Sequence, residues 1–531
     1  MSQSERGPLT THYAPDGMVC TVDHLASAAG VAMLRGGGSA ADAAIAASAV
    51  LAVTTPHMCG MGGDLFALVH DRTGPPTALN ASGRAGSGAD LGRLRDEGHQ
   101  TMPFTGDIRS VPVPGCVDGW LTLHQRYGRL PLADVLAPAI GYAANGFIVS
   151  SMLAAMAPVV AGRDGAADFG TRSAPIRAGE RRRRPGVARS LEAVVLAGRK
   201  GFYEGEFGAG LMALGEGEFR PEDLARSQAD WVTPLRGRLW DHDVWTMPPN
   251  SQGYLILAAG AIAQELDLPS DPDDPRWPHL LIESARQASF DRPAVLHEHA
   301  DPELLLDPDR LAARRRSIDP DRAAGLNTPG ADGGTIFLCA VDADRMGVSL
   351  IQSNASGFGS LLFEPATGIN LHNRGLGFAV DPAHPAAYGP GRRPPHTLSP
   401  VLVTTPERAL RATVGSMGGD AQPQIVLQLL ARLLAAGQAP ATAVHAPRFV
   451  LANHGGGRGF DTWDDDGHVG VDLEADAPAS WFSGLEARGH DMRMVSSANH
   501  AMGHAHIIDV LADGLAAATD RRAGQGTALG W

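Results

Sequence analysis

Two apolar patterns alternate along the chain. The first is the short continuous run. Ile336-Phe337-Leu338-Cys339-Ala340-Val341 is opened by Gly333-Gly334 and closed by an Asp-rich turn from Asp342. It predicts a buried β-strand with Thr335 at its edge. A second run, 347–353, follows at hairpin distance, and 65–70, 241–247 and a final run at 505–510 read as further strands. The second pattern is longer and helical. Residues 40–53 are nearly all Ala, Ile and Val, so this helix is apolar on every side and buried. Gly36-Gly37-Gly38 breaks the chain before it, and Ser39 with Asp42 has capping-box spacing. Helices are also predicted over 117–127, 132–145, from Gly253 to about 266, 279–290 and 424–434, with a short one at 223–229. In the 279–290 helix, Glu283 and Arg286 stand three apart and are expected to pair on its surface.

Composition narrows the class. At 531 residues and 44% apolar content the chain can bury a large core, as two to four domains or one layered unit. The 65 glycines against 5% aromatics imply close packing of small residues. A net charge of −14 argues against a nucleic-acid partner. No run of about 18 apolar residues predicts a membrane span. Residues 1–17 are polar with no apolar secretory core, which points to a cytoplasmic protein. Cys20, Cys59, Cys116 and Cys339 are scattered and form neither a CxxC pair nor a disulfide framework. The triple glycine lacks GK[ST], so it is not a phosphate loop. His57, Cys59 and Asp64 can be drawn as metal ligands, but their Gly-rich setting reads as a turn packed under a sheet. Nothing in the sequence indicates a metal or organic cofactor. The basic run 181–184 reads as a solvated loop or subunit contact, and 318–334, rich in Pro, Gly, Asp and Asn, as a long flexible connection.

The block 332–419 resembles the small-subunit start of the γ-glutamyltranspeptidase family. The likeness extends from about residue 10 to 531 through Leu79-Asn80-Ala81-Ser82-Gly83-Arg84 and Gly415-Ser416-Met417-Gly418-Gly419-Asp420, with no added domain or repeat. It implies an α+β fold, a four-layer αββα sandwich of the N-terminal-nucleophile (Ntn) type. Two subunits, 1–334 and 335–531, would form it by self-cleavage at Gly334–Thr335, with 318–334 as the processing linker. Amide hydrolysis needs an activated nucleophile, a proton shuttle and an oxyanion trap. An N-terminal threonine supplies the first two, because its α-amine, with a pKa of about 7.7–8.0, accepts the hydroxyl proton at neutral pH. The resemblance assigns this nucleophile to Thr335, an assisting hydroxyl to Ser353, the oxyanion amides to Gly418 and Gly419, and a grip on the substrate carboxylate to Arg84.

The acyl pocket departs from the family pattern. Ile336 replaces a second threonine, Ala355 an asparagine (with Asn354 adjacent), and His396-Thr397 a serine pair. Arg374 stands where family transpeptidases have Gln or Glu. Gly377 stands where they have the Asp that binds the α-ammonium of a glutamyl group. A buried ammonium without a carboxylate is costly. The implied activity is cleavage of γ-glutamyl amides such as glutathione, with the acyl group passing to water or an amine. The alternative is an anionic amide without an α-amino group, glutaryl- or oxamate-like, as in the acylase and amidohydrolase branches, with Arg84 and Arg374 serving a carboxylate. Asn354, His396 and Thr397 complete the expected substrate contacts. Residues 378–395 are short for a lid, implying an open site. A third reading is an unprocessed, non-catalytic binding protein. The expected partners are the small-molecule amide, its acceptor and the two associated subunits, with neither nucleic acid nor membrane.

Overall fold

The computed structural model describes residues 10–324, 334–454 and 469–531. Two seven-stranded sheets organise it. One runs in spatial order Thr527–Gly530, Met18–Thr21, Gly334–Val341, Gly347–Ala355, Asp64–His70, Thr77–Ala81, Asp230–Val232. The other runs His12–Ala14, Gly514–Thr519, Ala505–Leu511, Leu410–Ser416, Val401–Thr404, His242–Thr246, Leu235–Leu239. All neighbours in both are antiparallel. Each sheet draws strands from both sides of Thr335.

Strand side chains alternate between faces, and here both faces are buried. Phe337, Cys339, Val341, Ile351, Phe66 and Leu68 of the first sheet share one core with Leu402, Ile508, Leu515 and Ala517 of the second. The intervening residues Leu338, Ala340, Leu350, Leu65 and Ala67 face the other way, against helices His24–Arg35, Ala40–Thr54 and Cys116–Tyr127. On the second sheet, Val403, Val414 and Ile507 pack on helices Tyr254–Ala263 and Gln422–Leu430. Two-sided burial is why these strands read as continuous apolar runs rather than alternating ones. Helix Ala40–Thr54 is buried along its whole length, and the Ser39–Asp42 capping box forms.

Several expectations change. The predicted helix at 223–229 is only Pro221–Ala225, because Asp230 already starts a sheet strand. Ala505–Leu511 is not the last strand: Gly514–Thr519 and Thr527–Gly530 follow. Their Ala- and Gly-rich sequences carry little β-propensity, and sheet pairing overrides it. Glu283 and Arg286 do pair, at 3.3 Å, but inside the protein, since helix Arg276–Ser289 is buried on nearly all sides. Arg184 is not solvated; it donates to the carbonyls of Ala52 and Gly368 at 3.0 and 2.9 Å from a buried position. The start of the expected flexible connection is pinned, Ala323 N–H to Arg488 O and Ala324 N–H to Glu283 Oε2. Residues 325–333 of that connection lie outside the described residues. Among the described residues, no helix is long and apolar enough to cross a membrane.

Candidate active site

Strand register builds the site. Thr335 lies opposite Ser353, and Ser353 opposite Asp64, on three neighbouring strands. Residues paired in this way point to the same face. The three therefore extend the inter-sheet columns of Phe337, Ile351 and Phe66 by one polar layer at the sheet's end. The register shifts between Gly334 and Thr335, so Gly334 pairs with Ala355 and Asn354 is the extra residue of a bulge. Ala355 has φ +73°. Bulges of this kind re-aim side chains beside functional sites.

A chain of polar contacts links the trio. Thr335 Oγ1 is 2.9 Å from Ser353 Oγ. Ser353 Oγ accepts from Ala355 N–H at 2.8 Å and from Arg374 Nη2 at 2.9 Å. Arg374 also donates through Nη1 to Thr397 Oγ1 at 2.9 Å and through Nε to Asp64 Oδ2 at 2.8 Å. His396 Nε2 and His372 Nδ1 reach the same Asp64 oxygen at 3.1 and 3.3 Å. Leu398 N–H donates to His396 Nδ1, so the proton of a neutral His396 sits on Nε2 and points to Asp64. Burial, aided by Arg374, pushes His396 down to about 3, which keeps it neutral. Burial alone would raise the Asp64 carboxyl, but Arg374 and His396 outweigh it and hold it well below the usual carboxylate range.

Gly418 and Gly419 follow strand Leu410–Ser416 and precede helix Gln422–Leu430. Their φ values are +149° and +53°, backbone that glycine adopts readily. Gln252 Nε2 holds the carbonyls of Gly419 and Thr397 together, each at 3.0 Å. Neither glycine N–H donates to a backbone carbonyl among the described residues. Both sit at the positive end of the helix, a setting suited to an anion. A cavity of ≈ 760 Å³ lies alongside; its wall includes Arg374, Thr397, Ala355, Gly377, Arg292 and Asp420, bonded or adjacent to Ser353 and Gly419, which like Thr335 and Gly418 are not themselves in the wall.

The structure thus gathers Thr335, Ser353, Arg374 and Thr397 into one bonded chain, with Gly419 tied to it through Gln252 and Gly418 next to it in sequence. His396 supports it from behind Asp64, stacked edge-on to Phe66, and does not line the cavity. Asn354 is turned to the other face. Its side-chain amide donates to Pro56 O and Gly357 O at 2.9 and 3.0 Å and so pins the 56–60 turn. Arg84 is likewise outside the cavity wall, with Nη2 2.8 Å from Asp230 Oδ2. Arg374, expected as a free cation for substrate, is committed to Asp64. The sequence reading missed Asp64 as the site's buried carboxylate. Its signal was its place two residues before Phe66 on a strand whose alternate residues face the inter-sheet core. Arg292 and Asp420, paired at 3.2 Å in the cavity wall, were also missed.

Layered sheets, a strand-edge threonine hydroxyl and a glycine pair at a helix start define a class, the Ntn-type amide hydrolases. The model of the family described as gamma-glutamyltranspeptidase matches residues 26–530, and the chain belongs to this family. It is 34% identical to a Bacillus subtilis protein named glutathione hydrolase-like YwrD proenzyme, over 97% of this chain and 98% of that one. It is also 34% identical to the oxamate amidohydrolase proenzyme of Klebsiella pneumoniae, over 98% of this chain and 100% of the other. Among solved structures, the cephalosporin acylase of Bacillus halodurans superposes with a TM-score of 0.90 at 32% identity, covering 100% of this chain and 98% of that one.

Proposed function

We propose that this chain is a self-processing hydrolase, a four-layer αββα Ntn fold, that cleaves small anionic amides whose acyl part lacks an α-ammonium. Thr335 Oγ first attacks the Gly334 carbonyl; the peptide bond passes to an ester, and water releases chain 335–531 with a free α-amine. Fragments 1–334 and 335–531 stay together because strand Met18–Thr21 is paired between Thr527–Gly530 and Gly334–Val341. In turnover the α-amine takes the Thr335 proton as Oγ attacks the substrate carbonyl. The Gly418 and Gly419 amides receive the oxyanion, the leaving amine takes the proton, and water or an amine then accepts the acyl group. With two N–H donors on its lone pairs, Ser353 donates to Thr335 Oγ1 and stabilises the developing alkoxide. Arg374, oriented by Asp64, strengthens that donor.

The observation that carries the substrate class is the cavity wall. Arg292 and Arg374 put guanidinium N–H groups in that wall, Arg374 with its charge already matched by Asp64, and Gly377 cannot carry an ammonium-binding side chain, since a Cβ would lie 2.3 Å from Pro395 O. The name of the oxamate amidohydrolase relative supports this class, and that of the glutathione hydrolase-like relative supports the γ-glutamyl reading below. A second reading, γ-glutamyl amides, is favoured by Asp420, whose buried Oδ2 has no hydrogen-bond partner among the described residues and can receive an α-ammonium. A p-nitroanilide panel decides. Glutaryl and oxamyl donors turned over faster than γ-glutamyl support the first reading. A γ-glutamyl preference that Asp420→Asn abolishes establishes the second.

A further inference from the structure

A second polar cluster lies apart from the Thr335 chain. His279 and Glu283 are four apart on helix Arg276–Ser289 and so share one face. His490 reaches them from the turn after helix Ala479–Ala487. One ligand atom from each of the three lies within 4.8 Å of the others, and all three residues are buried. His279 Nε2 is 2.9 Å from Asp319 O, which places its proton there and leaves Nδ1 a lone pair. That Nδ1 accepts the His490 Nε2–H at 2.8 Å, a hydrogen bond that a bound ion would replace, with the His490 proton moving to Nδ1. His490 Nδ1 has no hydrogen-bond partner among the described residues although the side chain is only 7% exposed. A carbonyl behind one imidazole, with its other nitrogen facing a second imidazole and a carboxylate, is how proteins orient metal ligands.

We propose that His279, Glu283 and His490 bind a divalent transition-metal ion, with zinc the best match to two imidazoles and one carboxylate. Three protein ligands leave a fourth position for water. Arg286 Nη1 and the Ala324 N–H hold Glu283 Oε1 and Oε2 at 3.3 and 3.2 Å and compete with the ion for the carboxylate. Two ligands precede Thr335 and the third follows it. If the chain is cut as proposed above, the ion therefore staples the two fragments, beside the stretch where Asp319 and Ala324 contact the cluster.

The test is calorimetric titration of chelator-stripped, purified protein with Zn²⁺, alongside His490→Gln. The expected result is one ion per wild-type chain, with stoichiometric binding lost in the variant. Titration of wild type with Co²⁺ should give the visible d–d bands of an imidazole–carboxylate site, which does not depend on how the variant folds. Wild type that takes up no Zn²⁺, or His490→Gln that binds it equally well, overturns the proposal. Wild type that binds Zn²⁺ yet stays one uncut chain sinks the cleavage reading and leaves this one standing.

Discussion

Asp64 and Asp230 hold arginines by the same chemistry in different surroundings. Asp64 is fully buried, and Arg374 on it connects through Ser353 to Thr335. Asp230 has its side chain half exposed and is shared by Arg84 and Arg393 at 2.8 and 2.6 Å. Arg393 keeps further partners in Ser82 Oγ and the Gln228 carbonyl, at 2.8 and 2.9 Å. Losing one partner of a buried pair strands a charge, whereas an exposed pair is worth little. What an arginine contributes to the fold is set by burial and by what stands behind it, so Arg84 on half-exposed Asp230 is expected to matter less to stability than Arg374 on Asp64.

This contrast can be broken at several depths. Thr335→Ala should abolish both hydrolysis and chain cleavage, read by donor turnover and gel. Asp64→Asn should destabilise the fold by about 3–5 kcal/mol in a denaturant titration, because Arg374 loses its buried counter-charge. Acid should act next. His57 and His396 are both pushed down to about 3, chiefly by burial, so the fold keeps them neutral while the unfolded chain takes up protons. Their contribution is intact above a pH of about 6.5 and is lost as pH falls toward about 3, at about 1.4 kcal/mol per unit and histidine, read as a falling Tm. A hydrogen bond to a charged group is worth about 1.5–3 kcal/mol, so Arg374→Gln should lower kcat roughly 10- to 100-fold. Its pH–rate profile should shift if Arg374 acts through Ser353, and stay put if it only fills space. Arg84→Ala should change stability by no more than about 1 kcal/mol and leave KM close to wild type. A large rise in KM there would return Arg84 to the substrate and erase the contrast.

The elements were legible because apolar runs and the Ser39–Asp42 cap state their own periodicity. The site was legible only in part. Ser353 pairs with Thr335, whereas Asn354 is the extra residue of a bulge whose amide turns to Pro56 O and Gly357 O. A bulge leaves no mark in the local sequence, so the turn of Asn354 away from Ala355 is not legible there. Asp64 read as part of a glycine turn because its partner Arg374 lies 310 residues away, a separation across which no local pattern speaks. For the same reason Arg374 was visible as a departure, while its commitment to Asp64 was not.

The central claim is that Thr335 becomes a chain terminus and a nucleophile. Intact mass and N-terminal sequencing of freshly purified wild type, followed over time, test it most directly. The account predicts two chains, the smaller beginning at Thr335, in step with the appearance of amide hydrolysis. A single uncut chain that hydrolyses the amide donors at full rate would contradict it.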